Sequence, residues 1–139
     1  MFEKIKKYLA SYMWLDTCAG GICIRERRWS TEILCIMHKN GGLMLPKWRV
    51  KPNESTKEAA KREFQEETGL YGYQMGDEIG ILRDRYRRKK ITFFWFKNPS
   101  SKHSEIHDEA IVWIDVIKAL PLMKHAGEKK FIENYVLEK

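Results

Sequence analysis

Apolar residues recur along the chain with two different periods. Phe2, Ile5, Leu9, Tyr12 and Met13 follow helical spacing, which predicts an amphipathic helix over residues 2–13 with Lys4, Lys6 and Lys7 on its rim. Its apolar face is short. We therefore expect residues 1–16 to form a helix docked on a single domain at 17–139. Beyond it the pattern turns β-like. Apolar and β-branched residues predict strands over 20–25 and 33–38, separated by a charged turn at 27–30. Asn40-Gly41-Gly42 signals a turn before a short strand over 43–50. Residues 55–68 predict a helix, because Ser55 and Glu58 make a capping box and Gly69 stands where a C′ glycine belongs. Strands are predicted over 79–82, 91–97 and 110–114. A short helix begins over 118–120 and is interrupted by Pro121. Residues 125–137 predict a last helix with Phe131, Ile132, Tyr135 and Val136 on one face. The order is helix, three strands, helix, three strands, helix. That is an α/β chain with a mixed β-sheet and helices on both faces. Phe93, Phe94, Trp95 and Phe96 agree with it, since consecutive apolar residues in a strand need cover on both sides.

Composition adds few constraints. The 139 residues suit one domain, and 43% of them are apolar, enough for a core. The net charge of +7 suits either an ordinary charged surface or a polyanionic partner: a phosphorylated small molecule, a nucleotide or RNA. Cys18, Cys23 and Cys35 form no CxxC pair, and charges run through the first fourteen residues. We expect free thiols, a cytoplasmic protein and no membrane span or secretory signal. Either a monomer or a homodimer is compatible.

The chemistry concentrates between Trp48 and Leu70. At about 100° per residue, Glu63, Glu66 and Glu67 share one arc of the 55–68 helix, with Ala59 on it and Phe64 on its flank. Like charges at i,i+4 repel, by roughly 0.2–0.5 kcal/mol per pair. A divalent cation reverses that cost, and carboxylate oxygens are the hard ligands that magnesium takes. On composition alone, a solvated acidic face paired with lysines is the commoner explanation. The wider spacing changes the balance: Glu54 stands nine residues before Glu63, Arg62 precedes Glu63, and Gly69-Leu70 closes the helix.

In this segment the chain resembles the Nudix hydrolase family. The family's signature is Gly, five residues, Glu, seven residues, then Arg-Glu-apolar-x-Glu-Glu-x-Gly-apolar. Glu54, Arg62, Glu63, Phe64, Glu66, Glu67, Gly69 and Leu70 fill eight of its nine defined positions. Leu45-Pro46-Lys47, Ala19-Gly20-Gly21 and Glu109-Ala110-Ile111-Val112-Trp113 are similar to the family's approach to the box, first strand and late strand. The resemblance implies the α/β/α Nudix sandwich. It also implies hydrolysis of a phosphoanhydride bond in a nucleoside diphosphate-linked or polyphosphate substrate, with Mg2+ bound and Mn2+ able to substitute. Short matches favour a dinucleoside or diphosphoinositol polyphosphate. An RNA 5′-pyrophosphohydrolase and a MutT-like nucleotide-sanitising enzyme stay open.

The resemblance makes Glu63, Glu66 and Glu67 the metal-binding and catalytic carboxylates. Glu67 is the first choice of general base, and Glu105 and Glu109 are late-loop alternatives. It gives Glu54, Arg62 and Gly69 to the structure of the box. The signature's opening glycine is Trp48 here, and Asn53 replaces the frequent glycine before Glu54. The family's metal-holding carbonyl would then be that of Trp48, at a position where a positive φ would be costly for tryptophan. Trp48 is also the best support for a rival class, a Nudix fold that binds nucleotide or RNA with weakened turnover. Lys47, Arg49, Arg85, Tyr86 and Lys89 are candidate substrate contacts: arginine forks suit phosphate oxygens, and Tyr86 could stack on a base. A charged hairpin is the plainer account of residues 84–90. His103 and His107 lack a third ligand nearby and read as loop residues. His125 stands ahead of the last helix with no role assigned.

Overall fold

The structure, a computed structural model, describes residues 16–70, 73–97 and 111–137. The predicted helix over 2–13 lies outside them, as do Glu105, Glu109, Ala110, His103 and His107. Among the described residues, seven strands and three α-helices follow in chain order. They are β1 (Asp16–Glu26), β2 (Thr31–Met37), β3 (Leu43–Met44), β4 (Lys47–Arg49), α1 (Thr56–Thr68), β5 (Gln74–Asp84), β6 (Lys89–Lys97), β7 (Ile111–Asp115), α2 (Val116–Ala119) and α3 (Ala126–Ile132). A 3₁₀ turn at Leu120–Leu122 follows α2, and a wider π-type turn at Glu133–Leu137 extends α3.

The strand predicted over 43–50 is two strands. Pro46 has no N–H for a ladder, and the pieces pair with different partners: β3 with β2, β4 with β1. The strand predicted over 79–82 is longer, Gln74–Asp84. Its first residues are polar because β5 is the edge of the order β3-β2-β1-β6-β5, where solvent faces a strand without spoiling its pairing. α2 starts earlier than the 118–120 segment, at Val116, because Asp115 caps it: Asp115 Oδ1 accepts from the N–H groups of Ile117 and Lys118 at 2.9 and 3.2 Å.

The sheet is mixed. β1 runs parallel to β6 from Asp16 to Ile24, so β2 and β4 must share its other edge. β2 holds that edge only through Ile24–Glu26 and then diverges. β3 continues on β2 at Ile36 and Met37, and β4 returns to β1 at Cys18–Gly20. The result is a wedge between β1 and β2, filled by residues 43–49. β7 covers the far edge of β2.

Both faces of the sheet are packed. On one, Cys18, Ile22, Ile33, Cys35, Ile91 and Phe93 meet Val116, Ala119, Phe131 and Ile132 of α2 and α3. On the other, Ala19, Cys23, Leu34, Phe94 and Phe96 meet Ala59, Ala60 and Phe64 of α1. This is the predicted α/β/α sandwich, and the alternation within β1 assigns its residues to the two faces. Gly20 and Gly21 have a steric cause. A Cβ on Gly20 would lie 2.5 Å from a ring carbon of Phe93, and one on Gly21 would lie 2.9 Å from the ring of Phe96. The parallel neighbour thus lays an aromatic ring over β1 on each side. All three cysteines are buried and free. Burial pushes the thiols of Cys23 and Cys35 up to about 12, which makes them core residues without nucleophilic character.

Candidate active site

α1 forms where the sequence predicts it. Ser55 Oγ accepts from the N–H of Glu58 at 3.1 Å, and Glu58 reaches back to the N–H of Ser55 at 3.3 Å. At the other end Gly69 takes φ 72°, and its N–H donates to Gln65 O at 3.0 Å. Ala60, Phe64 and Thr68, four residues apart, are buried against the sheet. Phe64 is the anchor. It stacks on Phe96 with ring centroids 4.0 Å apart and meets Tyr73 edge-on at 4.8 Å. Beside that buried seam lies the carboxylate arc. Glu63 and Glu67, nearer the seam, are half-buried, and Glu66, farther round, is exposed.

Arg62 organises the arc. Its Nε and Nη2 donate to the two oxygens of Glu54 at 2.9 and 3.0 Å, a bidentate fork. Its Nη1 donates to Glu63 Oε1 and lies 3.6 Å from Glu66 Oε2. Glu54 is fixed from both ends, since its Oε1 also accepts from the N–H of Lys51 at 3.1 Å. The Arg62 fork and that N–H hold the Glu54 carboxyl down at about 2, against an ordinary 4.5. Asn53 makes the turn possible at φ 67°, a left-handed conformation that asparagine tolerates. Glu54, Arg62 and Gly69 thus act together to shape the loop and helix.

Trp48 sits in an extended strand and carries no positive φ. Val50 N donates to Thr17 O, and Gly21 N to Pro46 O. Alternation makes Ala19 and Trp48 the hydrogen-bonded pair between them, which directs the Trp48 carbonyl into the ladder. The indole meets Phe64 edge-on at 6.2 Å and forms part of the wall around α1.

The predicted substrate contacts separate into three places. Lys47 and Lys89 line one cavity, together with His38, Arg87, Lys124 and His125. Arg85 and Tyr86 line an adjoining hollow that shares Arg87, Lys124 and His125. Arg49 lies apart, 3.3 Å from Asp16, in a hollow with Thr17 and Val50.

Sequence reasoning missed Glu128. Its side chain is fully buried. Its oxygens accept from the N–H of Leu45 at 2.8 Å and pair with Lys47 Nζ at 2.9 Å and Arg87 Nη2 at 3.0 Å. Arg87 also pairs with Asp84. A usable signal was present. Glu128 stands three and four residues before Phe131 and Ile132, on the apolar stripe of the last helix, where a carboxylate requires buried partners. Burial lowers the pKa of Lys47, and Glu128 works against that shift. His125 precedes the first turn of α3; burial lowers its pKa, and Arg87 and Lys47 push the same way.

Carboxylate oxygens of Glu63 and Glu66 approach one guanidinium nitrogen, so this face of α1 already gathers negative charge around a cation. The donors are hard oxygens, which suits a divalent metal. Among the described residues, no three acidic, histidine or cysteine side chains are gathered as a ready-made site. Arg62 Nη1 engages only Oε1 of Glu63, and the Glu54 fork would keep Arg62 in place if that oxygen turned to a metal. By donor chemistry the residues fit.

The family model for the NUDIX domain matches residues 16–135. A Caenorhabditis elegans Ap4A hydrolase in a binary complex is similar at 21% identity, covering 86% of this chain and 96% of that one, with a TM-score of 0.67. A MutT protein from Methanosarcina mazei is similar at 25% identity over 88% and 94%, TM-score 0.62. The Escherichia coli dihydroneopterin triphosphate pyrophosphohydrolase follows at 19% over 88% and 96%, TM-score 0.64. The search of curated proteins gave no match.

Proposed function

Because the chain belongs to the NUDIX domain family, whose enzymes are pyrophosphohydrolases acting on nucleoside diphosphate derivatives, we propose that it is a magnesium-dependent hydrolase of a phosphoanhydride bond. Manganese is expected to substitute. The substrate is a nucleoside diphosphate-linked or polyphosphate molecule, with a dinucleoside polyphosphate favoured. The observation that carries this reading is the carboxylate arc of α1, where Glu63 and Glu66 approach Arg62 Nη1 and Glu67 lies beside them, half-buried.

Glu63, Glu66 and Glu67 would hold the metal, with the Trp48 carbonyl kept in its ladder. When bound, the metal supplies positive charge that stabilises the phosphoryl oxygens of the transition state. The remaining work belongs to the chain. Glu54 fixes Arg62, and Arg62 limits the positions open to Glu63. Glu67 accepts the proton of a water that attacks phosphorus. As the new P–O bond forms, the anhydride P–O bond breaks, and its electron pair leaves on the departing phosphate. Phe64 and Trp48 exclude solvent from the base of the arc.

Nucleoside and inositol polyphosphates incubated with the protein, with the cleaved products separated by anion-exchange chromatography as the readout, test the proposal. Turnover with magnesium or manganese and none in excess chelator is expected. Equal turnover in chelator would defeat the metal assignment. Failure on every substrate, with tight nucleotide or RNA binding retained, would make the protein a binding module.

A further inference from the structure

The hairpin between β5 and β6 does not keep its shape by turn chemistry alone. Asp84 pairs with Lys89 across it, and Arg85, Tyr86, Arg87 and Arg88 make the loop. The last of these, Arg88, has φ 57°. That left-handed conformation suits glycine or asparagine, and a longer side chain keeps it only where the surroundings fix the backbone. Tyr86 at the tip is 97% exposed, so its ring gives the loop no packing.

The loop is held through Arg87. Its N–H donates to Asp84 Oδ1 at 3.0 Å, and its guanidinium pairs with the same carboxylate. The guanidinium also reaches out of the hairpin, where Nη2 donates to Glu128 Oε2 at 3.0 Å. Glu128 is fixed independently of the loop. Its Oε1 accepts from the N–H of Leu45 at 2.8 Å. Its Oε2 meets Lys47 Nζ at 2.9 Å, and that ammonium donates to Leu45 O at 3.0 Å. Glu128, Lys47 and both backbone polar groups of Leu45 thus close a ring beside Pro46, at the bend between β3 and β4. A fully buried carboxylate keeps its charge only with such partners. One side chain of α3 therefore ties together the hairpin and the bend that leads to Trp48 and Glu54.

We propose that Glu128 is a positioning residue for substrate binding. Through Arg87 it sets the β5–β6 hairpin against the bend before β4, so that Arg85 and Tyr86 stand in a fixed relation to β4 and to the carboxylate arc beyond it. Lys47 and Arg87 are struts, with their charge balanced by Glu128 and Asp84. The surface that Glu128 governs is the hollow lined by Arg85, Tyr86, Leu82 and Gly127. The inference rests on the hydrolase reading for the substrate, whereas the anchoring of the hairpin does not.

Hydrogen exchange followed by mass spectrometry reads the anchor, and steady-state kinetics with diadenosine tetraphosphate reads its use. Two variants cut the link at different points. Glu128→Gln removes the shared carboxylate. Asp84→Asn loosens Arg87 within the hairpin and spares the ring at Leu45, so it serves where the first variant folds poorly. Ile132→Val, in the buried core of the same helix, controls for a general loss of stability. Amides of residues 84–89 should exchange about tenfold faster or more in both variants, relative to those of α1, the scale of a lost charged hydrogen bond. The control should not raise that ratio. KM should rise about tenfold with kcat held within about threefold, the pattern of lost uniform binding. A purely structural role would instead lower the active fraction, and so the apparent kcat, at constant KM. Unchanged exchange in the hairpin, an equal change in the control, or fast exchange with an unchanged KM would overturn the proposal. The two claims fail separately. Fast exchange, with no polyphosphate turned over even by the wild type, defeats the hydrolase and keeps the anchor. Turnover with a rigid hairpin in both variants does the reverse.

Discussion

Two clusters of charge stand on opposite sides of β4, and each is built round an arginine. On the α1 side, Arg62 faces three carboxylates, Glu54, Glu63 and Glu66, and the outermost is 60% exposed. On the α3 side, Arg87 and Lys47 share Glu128, which is fully buried. The first cluster has surplus negative charge and is open to water. The second balances its two cations with Glu128 and Asp84 and is sealed. A cluster that can exchange partners suits binding and release, whereas a sealed one suits fixed geometry. Together they place an open group of carboxylates and a buried ion-pair network on opposite sides of one short strand.

The largest effect should come from the sealed cluster. Glu128→Gln removes the one carboxylate that pairs with Lys47 among the described residues and leaves two neighbouring cations partly buried. We expect a loss of about 3–5 kcal/mol of stability, as for breaking a buried pair from one side. Chemical denaturation gives the number. A loss below about 1 kcal/mol, the level of an exposed pair, would erase the contrast between the clusters.

The comparison also separates what the sequence revealed from what it hid. The α1 cluster was legible because it is local: the capping box, the glutamate spacing and Gly69 all lie within sixteen residues of Glu54 and depend on helix geometry alone. Glu128 meets Leu45 across 83 positions and Arg87 across 41, and no local period encodes such pairs. Its place on the apolar stripe of α3 was a visible anomaly, but its partners were not. The wedge between β1 and β2 was hidden for the same reason, and so the strand over 43–50 was read as one. Lys47 and Lys89, grouped by charge in the sequence, line the same cavity. Strand alternation and hairpin position then placed Arg49, Arg85 and Tyr86 elsewhere.

Trp48 separates the clusters, and its replacement comes next in size. Since its backbone is extended, glycine relieves no strain there. Trp48→Gly removes a ring packed on Phe64 and lining the cationic cavity. We expect a loss of about 3 kcal/mol of stability, weaker substrate binding and no gain in rate. A faster enzyme with an unchanged melting curve would show that the signature glycine is still wanted. Glu67→Gln acts on the open cluster. Turnover should fall about a hundredfold, as for a positioned base or ligand, equivalent to ~2.7 kcal/mol of barrier. Its melting temperature should move little. Near-normal turnover with a large drop in melting temperature would instead make Glu67 a structural residue.

The smallest effect is a test of how the open cluster is held. The Glu54 carboxyl titrates at about 2 in the folded protein and near 4.5 when free of its partners. As pH falls from about 4.5 towards 2, the unfolded chain takes up this proton while the folded chain resists it. Stability therefore declines across that window; above it the contribution of Glu54 is fully present. Asp84 and Glu32 are also lowered, so the wild-type curve alone cannot assign the slope. Glu54→Gln isolates it. The variant should be less stable than wild type at neutral pH, and the gap should narrow as the acid window is crossed. The difference should stay small, because the pair faces solvent and is screened. Urea midpoints of both proteins from pH 7 to 2 measure it. A gap that stays constant through the window would mean that Arg62 is held by Glu63 and Glu66, and that the fork to Glu54 adds shape without charge-dependent stability.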